Sequence, residues 1–284
     1  MPLYERPVII GCGLLGASLG LALKARGLAG SITGVGRNQC TLDRAQAVGA
    51  IDHASLQLEQ AIPGADLIVI ATPVAQSIDI LVQAAALASP GAVLTDVGST
   101  KAAICAREDS LWPEARPFVG SHPMAGSEKF GPDHATATLF DGAVCLVEEA
   151  ESLSETAREH VVALWQGVGA RVVPVDARRH DTVLAYTSHL PHVVASCVAA
   201  TAAEHGDVRA MVGNGFRDTT RIAASRPEVW TEICLTNRDA VIAGLRAYEH
   251  RLADFRHALE DEDASAVERF FEQGRAGREG ILGE

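Results

Sequence analysis

Two rhythms of apolar and polar positions run along this chain, and the change from one to the other sets the expected elements. Through the first 175 residues, short apolar runs recur at 7–11, 31–35, 66–71, 92–97, 117–120, 143–147 and 170–174. They read as strands. The unbroken ones, such as DLIVIA at 66–71, read as strands buried on both faces of a parallel sheet. Stretches with helical spacing lie between them, at 14–26, 78–88 and about 152–167. Such alternation predicts an α/β layer structure. From about Asp176 the strand pattern stops, and helices are expected over 181–203, 227–248, 249–258 and 264–278. Pro191 falls inside the first of these and must kink it or interrupt its hydrogen bonds. Two domains follow from this change of rhythm, 1–175 and 176–284, the second all-helical.

The first strand runs directly into Gly11-Cys12-Gly13-Leu14-Leu15-Gly16, and a helical pattern follows. A G-x-G-x-x-G between a strand and a helix is the dinucleotide-binding fingerprint of a Rossmann-type domain. Gly11 and Gly13 let backbone approach a pyrophosphate, and Gly16 lets helix and strand pack closely. The main chain at Leu14 and Leu15 opens the helix, whose first N–H groups and dipole favour phosphate. After the second strand an NAD-specific unit usually carries an acidic residue for the ribose hydroxyls. No Asp or Glu occurs between Lys24 and Asp43; Gly36-Arg37-Asn38-Gln39 stands there instead. Arg37 would pair with a 2′-phosphate, which favours NADP, with NAD still able to bind. Thr72-Pro73, at the end of the strand at 66–71, is expected where the nicotinamide half passes. Ser99 and Lys101 follow the next strand, where ligands bind in an open parallel sheet. Ser99 also reads as a plain helix N-cap, and the two roles can coexist.

Composition narrows the classes of partner. The chain has 284 residues, 48% of them hydrophobic, and a net charge of -12. An acidic surface has no long-range attraction for nucleic acid or anionic membrane. The start, MPLYERPVII, does not read as a signal peptide, and no unbroken apolar run approaches ~20 residues, so no membrane span is expected. The six cysteines are scattered without a C-x-x-C pair. They read as small buried residues in a reducing compartment, and the cytoplasm is expected. The apolar length of the second domain suggests an interface as well as a core, hence a homodimer.

The candidate chemistry gathers at 120–131, GSHPMAGSEKFG. Pro123 pushes His122 towards an extended conformation. Gly126 and Gly131 permit turns that other residues resist. Ser121, Ser127, Glu128 and Lys129 surround a histidine on a strand-end loop, a candidate reaction centre. Glu128 and Lys129 read equally well as solvated loop charges. In the helical part, His189 and His192 flank Pro191 on one face. With His180 and Asp181 they could suggest a metal site, yet there is no H-E-x-x-H, and hydride transfer to a nicotinamide needs no metal. No metal is expected.

Five motifs in order resemble the prephenate/arogenate dehydrogenase (cyclohexadienyl dehydrogenase) family of tyrosine biosynthesis. They are GCGLLG, DVGSTK at 96–101, GSHPMAGSE at 120–128, HD with TSHLPH at 180–192, and GFRDTTRIA at 215–223. VGRNQCTLDRA resembles the NADP-using arogenate branch. The resemblance spans nearly the whole chain. It implies a Rossmann-type domain, a helical dimerisation domain and oxidative decarboxylation of prephenate or arogenate with hydride transfer to NAD(P)+. It also implies that His122 is the base for the substrate hydroxyl, that Ser99 holds that hydroxyl, and that Arg221 binds a substrate carboxylate. His189 and His192 would line the substrate side, Arg217 would be structural and Trp230 would pack under the site. Two other readings compete. A Rossmann dehydrogenase of 3-hydroxyacid type usually relies on a lysine in its helical domain, and no lysine occurs from Asp176 onward. A non-catalytic NADP-binding sensor would leave His122, Ser99 and Arg221 without a purpose.

Overall fold

The computed structural model describes residues 2–108, 111–112, 117–126 and 129–283. Chain contacts divide it into two units, Met1–Asn237 and Arg238–Glu284. The described residues of the first unit form nine strands. β1 (Pro7–Ile10), β2 (Thr33–Val35), β3 (His53–Ser55), β4 (Leu67–Ile70), β5 (Val93–Asp96) and β6 (Phe118–Val119) form one sheet in the order β3-β2-β1-β4-β5-β6. All its pairings are parallel. This is the doubly wound order, and it confirms the Rossmann-type α/β expectation. β3 was not legible in the apolar pattern: its three residues, His-Ala-Ser, are held by pairing with β2 rather than by apolar burial.

Helices α1 (Leu14–Ala25), α2 (Gln39–Ala47), α3 (Leu58–Ala61), α4 (Val74–Leu87) and α5 (Ala102–Glu108) connect these strands. Two apolar clusters cover the sheet. Ile9 of β1 belongs to one, while Val8 and Ile10 belong to the other, as alternation along a strand requires. The register brings Ile10, Ile70 and Asp96 level at one edge. The loops after β1, β4 and β5 therefore leave the sheet side by side, on either side of the point where strand order reverses. That crevice is where an open parallel sheet binds its ligand.

A second, three-stranded sheet contains β7 (Ser121–Pro123), β8 (Val144–Glu148) and β9 (Arg171–Val175), with α6 (Glu155–Gly167) before β9. β7 is antiparallel to β8, and His122 lies opposite Leu146. The extended state that Pro123 imposes on His122 is thus used as a strand.

The remainder of the described chain is helical. α7 (Ala177–Leu184) passes through a π-helical turn, Ala185–His189, into α8 (Leu190–Ala203). Pro191 has no N–H to continue the ladder, and the widened turn lies just before it. By length and composition alone the run Ala177–Ala203 could cross a membrane, at mean hydropathy 1.2. The run is broken by Arg178, Arg179, His180 and Asp181 near its start. Here the run carries the polar residues that form one wall of the site described below. α9 (Asn214–Thr220) and α10 (Pro227–Thr236) complete the unit.

The second unit is a pair of helices, α11 (Arg238–Glu260) and α12 (Ala264–Leu282). The expected break near residue 248 is absent and α11 is continuous, because nothing in AYEHRLADF stops a helix. Its start falls directly after Asn237.

Candidate active site

A cavity of about 670 Å³ opens at the switch point, well within the size range of small-molecule sites. Its cofactor-side wall is built from the fingerprint. Gly11 has φ +98, and a Cβ there would lie 2.5 Å from the carbonyl oxygen of Ala71. A Cβ on Gly16 would lie 2.1 Å from the carbonyl oxygen of Gly11, so α1 can approach β1 only with glycine here. Gly13 instead faces open space and forms the N-cap of α1 without any side-chain cap. Gly13, Leu14 and Leu15 line the cavity, with the unsatisfied helix-start N–H groups that suit a pyrophosphate. Thr72, Pro73 and Ser99 also line it. The chain therefore has the backbone cradle a dinucleotide needs. Arg37 is exposed in the loop after β2 and does not line this cavity.

His122 enters from β7. It is buried, with 8% of its surface exposed, and it lines the same cavity. Its Nδ1 lies 2.9 Å from Nε2 of His180, and Nδ1 of His180 lies 2.8 Å from Oδ1 of Asp181. Asp181 also accepts from the main-chain N–H of Lys101 at 2.8 Å and of Ala102 at 2.9 Å. An ionised carboxylate can only accept, so Nδ1 of His180 carries a hydrogen, and in the neutral ring Nε2 is then bare. Nε2 must then accept from His122 Nδ1–H. One direction of hydrogen bonding runs through the chain, and it ends with the Nε2 lone pair of His122. Burial foremost, with the buried Lys101 ammonium adding to it, holds the His122 pKa well below that of an ordinary histidine. His122 is therefore a neutral acceptor of fixed tautomer.

The other expected residues divide. Ser99 is half-buried and makes no hydrogen bond to another described residue. The N–H groups opening α5 are capped by Asp181, so the hydroxyl of Ser99 is not used there. Lys101 is buried in an ion pair with Asp96, away from the cavity wall. His189 and His192 both line the cavity. The His192 ring stacks on Trp230, with centroids 3.4 Å apart, which places Trp230 in the cavity wall. Ser121 points the other way. Thr95 donates to the Val119 carbonyl, and the fully buried Ser121 hydroxyl lies 2.8 Å from the Thr95 oxygen. Arg221 is exposed outside the cavity, although its charge reaches His192 and lowers its pKa behind the larger effect of burial. Glu128 and Ser127 lie outside the described residues.

Arg226 and Glu232 escaped the sequence reading, and the role of His180 and Asp181 did too. Arg226 lines the cavity with its guanidinium 5.2 Å above the Phe130 ring. Glu232 is the one carboxylate among the described lining residues, and it accepts from the N–H of Ala75 in the first turn of α4. His180 and Asp181 were visible as a possible metal pair and as the HD of a family motif, and nothing local there indicates that His180 meets His122. Among the described residues, no three His, Cys, Asp or Glu side chains are placed to hold a metal ion.

A dinucleotide cradle and a buried neutral base in one cavity define the class: dehydrogenases that use a nicotinamide cofactor. Within that class, the chain belongs to the prephenate dehydrogenase family. Residues 19–174 match the family's nucleotide-binding domain and 176–273 its dimerization domain. Prephenate dehydrogenase of Lactococcus lactis subsp. cremoris is 33% identical over 98% of this chain and 77% of its own. The crystal structure of prephenate dehydrogenase from A. aeolicus, in complex with hydroxyphenyl propionate and NAD+, superposes with a TM-score of 0.88. It is 27% identical, with 98% of both chains covered. Synechocystis arogenate dehydrogenase superposes at 0.84, with 27% identity over 98% of this chain and 100% of the other.

Proposed function

We propose that this protein catalyses the oxidative decarboxylation of arogenate, prephenate or both, in tyrosine biosynthesis. The observation that carries the reading is the Asp181–His180–His122 chain ending on a bare, neutral Nε2 in a cavity beside the dinucleotide cradle. A bound nicotinamide supplies the acceptor for the hydride that leaves C4 of the cyclohexadienol ring. Gly11, Gly13 and Gly16, with the main chain of Leu14 and Leu15, would hold its pyrophosphate, and Thr72 and Pro73 would flank its nicotinamide end. His122 Nε2 accepts the proton of the C4 hydroxyl as that hydride leaves. The ring carbon–carboxylate bond breaks, its electron pair completes the aromatic ring, and the proton returns to the phenol oxygen. Ser99, with its hydroxyl uncommitted, holds the same oxygen. A positioned base typically contributes ~100- to 10,000-fold.

Substrate carboxylates need cations that an acidic protein lacks overall. Arg221 is our candidate for one, by a paired fork, and His192 with Trp230 would form the wall beside the substrate. Glu128 is a further candidate on the substrate side, whereas Ser121 is committed to Thr95. NADP is the preferred cofactor in this reading, because Arg37 stands where NAD-specific chains carry a carboxylate. Residues 1–175 would serve the cofactor and 176–284 the substrate and a homodimer interface. All six cysteines are free, although Cys40 and Cys197 are exposed rather than buried as expected, and free thiols suit a reducing compartment, the cytoplasm.

The test is nicotinamide reduction followed by absorbance, with prephenate or arogenate and NAD+ or NADP+ in the four combinations. Reduction is expected, faster with NADP+. Its absence from all four would defeat the reading, and indifference between the cofactors would remove Arg37 from it.

A further inference from the structure

A second histidine in the cavity has its proton placed by the opposite rule. Asn237, directly after α10, donates through Nδ2 to the main-chain oxygen of Asp181 at 2.7 Å. The same atom lies 3.2 Å from Nδ1 of His189. A carbonyl can only accept, so the atom facing Asp181 is the amide nitrogen. Its second hydrogen faces His189 Nδ1, which must therefore be the bare nitrogen. Burial foremost brings the pKa of His189 down to about 4, so the ring is neutral and its one hydrogen sits on Nε2. His189 is 1% exposed and lines the cavity that His122 also lines. Asp181 thus anchors both rings. Its carboxylate acts through His180 to leave His122 Nε2 bare, and its carbonyl acts through Asn237 to leave a hydrogen on His189 Nε2. His192 differs from both: its Nδ1–H donates to the Ser188 carbonyl at 2.9 Å while its face stacks on Trp230.

We propose that His189 donates a hydrogen bond from Nε2–H to the substrate hydroxyl oxygen whose proton His122 accepts, and that Asn237 positions that donor. The proposal deepens the dehydrogenase reading and rests on it. A hydroxyl that gives its proton to a base keeps lone pairs, and charge gathers on that oxygen as its proton leaves. A fixed donor aimed there is worth ~100- to 1,000-fold in rate. A neutral imidazole supplies the hydrogen without bringing a full positive charge beside the base.

Two measurements test it. Long-range proton–nitrogen spectra of histidine-labelled protein report each tautomer directly. Hydrogen on Nε2 of His189 and on Nδ1 of His122 is expected; hydrogen on Nδ1 of His189 overturns the proposal. Binding is then compared for 3-(4-hydroxyphenyl)propionate and 3-phenylpropionate with NADP+ present. The unaltered protein should prefer the phenol by roughly tenfold, about 1.4 kcal/mol. His189→Phe and Asn237→Leu should each cut that preference at least ~threefold, leaving what His122 and Ser99 contribute, while still binding the deoxy acid. A preference undiminished by His189→Phe places the donor elsewhere and overturns the proposal. Binding of neither acid by the unaltered protein overturns the dehydrogenase reading and the substrate role with it, while the spectra still decide the tautomers.

Discussion

His122 performs its proposed role through its charge state, and its surroundings set that state. Burial disfavours the imidazolium, and the buried Lys101 ammonium acts the same way. A base must be unprotonated to accept, so activity is lost as pH falls through its pKa. Because that pKa is lowered, kcat/KM should hold steady below pH 6.5 and fall only at more acidic values. A pH–rate profile with its acid limb at or above 6.5 would show that His122 is not the group that titrates. At this scale the sequence was informative about types and poor on direction. His122, Ser99 and His189 were legible from their loops and helix faces. Ser121 stands beside His122 in sequence, but alternation along β7 sends its hydroxyl to Thr95 instead. His180, the partner of His122, lies 58 residues away, and no local pattern encodes that meeting.

At the scale of elements, the β1–α1 turn is the part most tightly dictated by residue type. Gly16 leaves no room for a methyl group, since its Cβ would sit 2.1 Å from a main-chain oxygen that cannot move away without disturbing the cradle. Gly16→Ala should therefore raise the KM for cofactor at least ~10-fold and lower stability by ~1–3 kcal/mol, as overpacking does. Cofactor titration and urea unfolding measure the two. The G-x-G-x-x-G pattern announced this turn because its chemistry is local. β3 was silent because its three residues are specified by pairing with β2, and the continuity of α11 was missed because pattern reading locates boundaries poorly where no stop residue stands. The π-helical turn before Pro191 lies between these cases: the proline forced an irregularity, and only the structure gives its form.

At the scale of the molecule, the second unit has apolar side chains facing outward. α12 contains no buried residue, and Phe271 and Ile281 are 63% and 78% exposed. Phe271 packs edge-on against Phe255 and Phe270 within the unit, leaving much of its ring uncovered. Exposed apolar surface of this kind marks an interaction site, and the match to a dimerization domain supports a homodimer. Phe271→Asp should shift the protein towards monomer in sedimentation velocity. An unchanged dimer would move the interface elsewhere.

The central claim is that one buried, neutral histidine couples hydride transfer to loss of the ring carboxylate. The most direct measurement is carbon dioxide released against nicotinamide reduced, in the unaltered protein and in His122→Asn. The expected result is one carbon dioxide for each nicotinamide reduced, with both rates falling by at least ~100-fold in the variant while cofactor binding is kept. A His122→Asn enzyme that turns over at a near-normal rate would contradict the account.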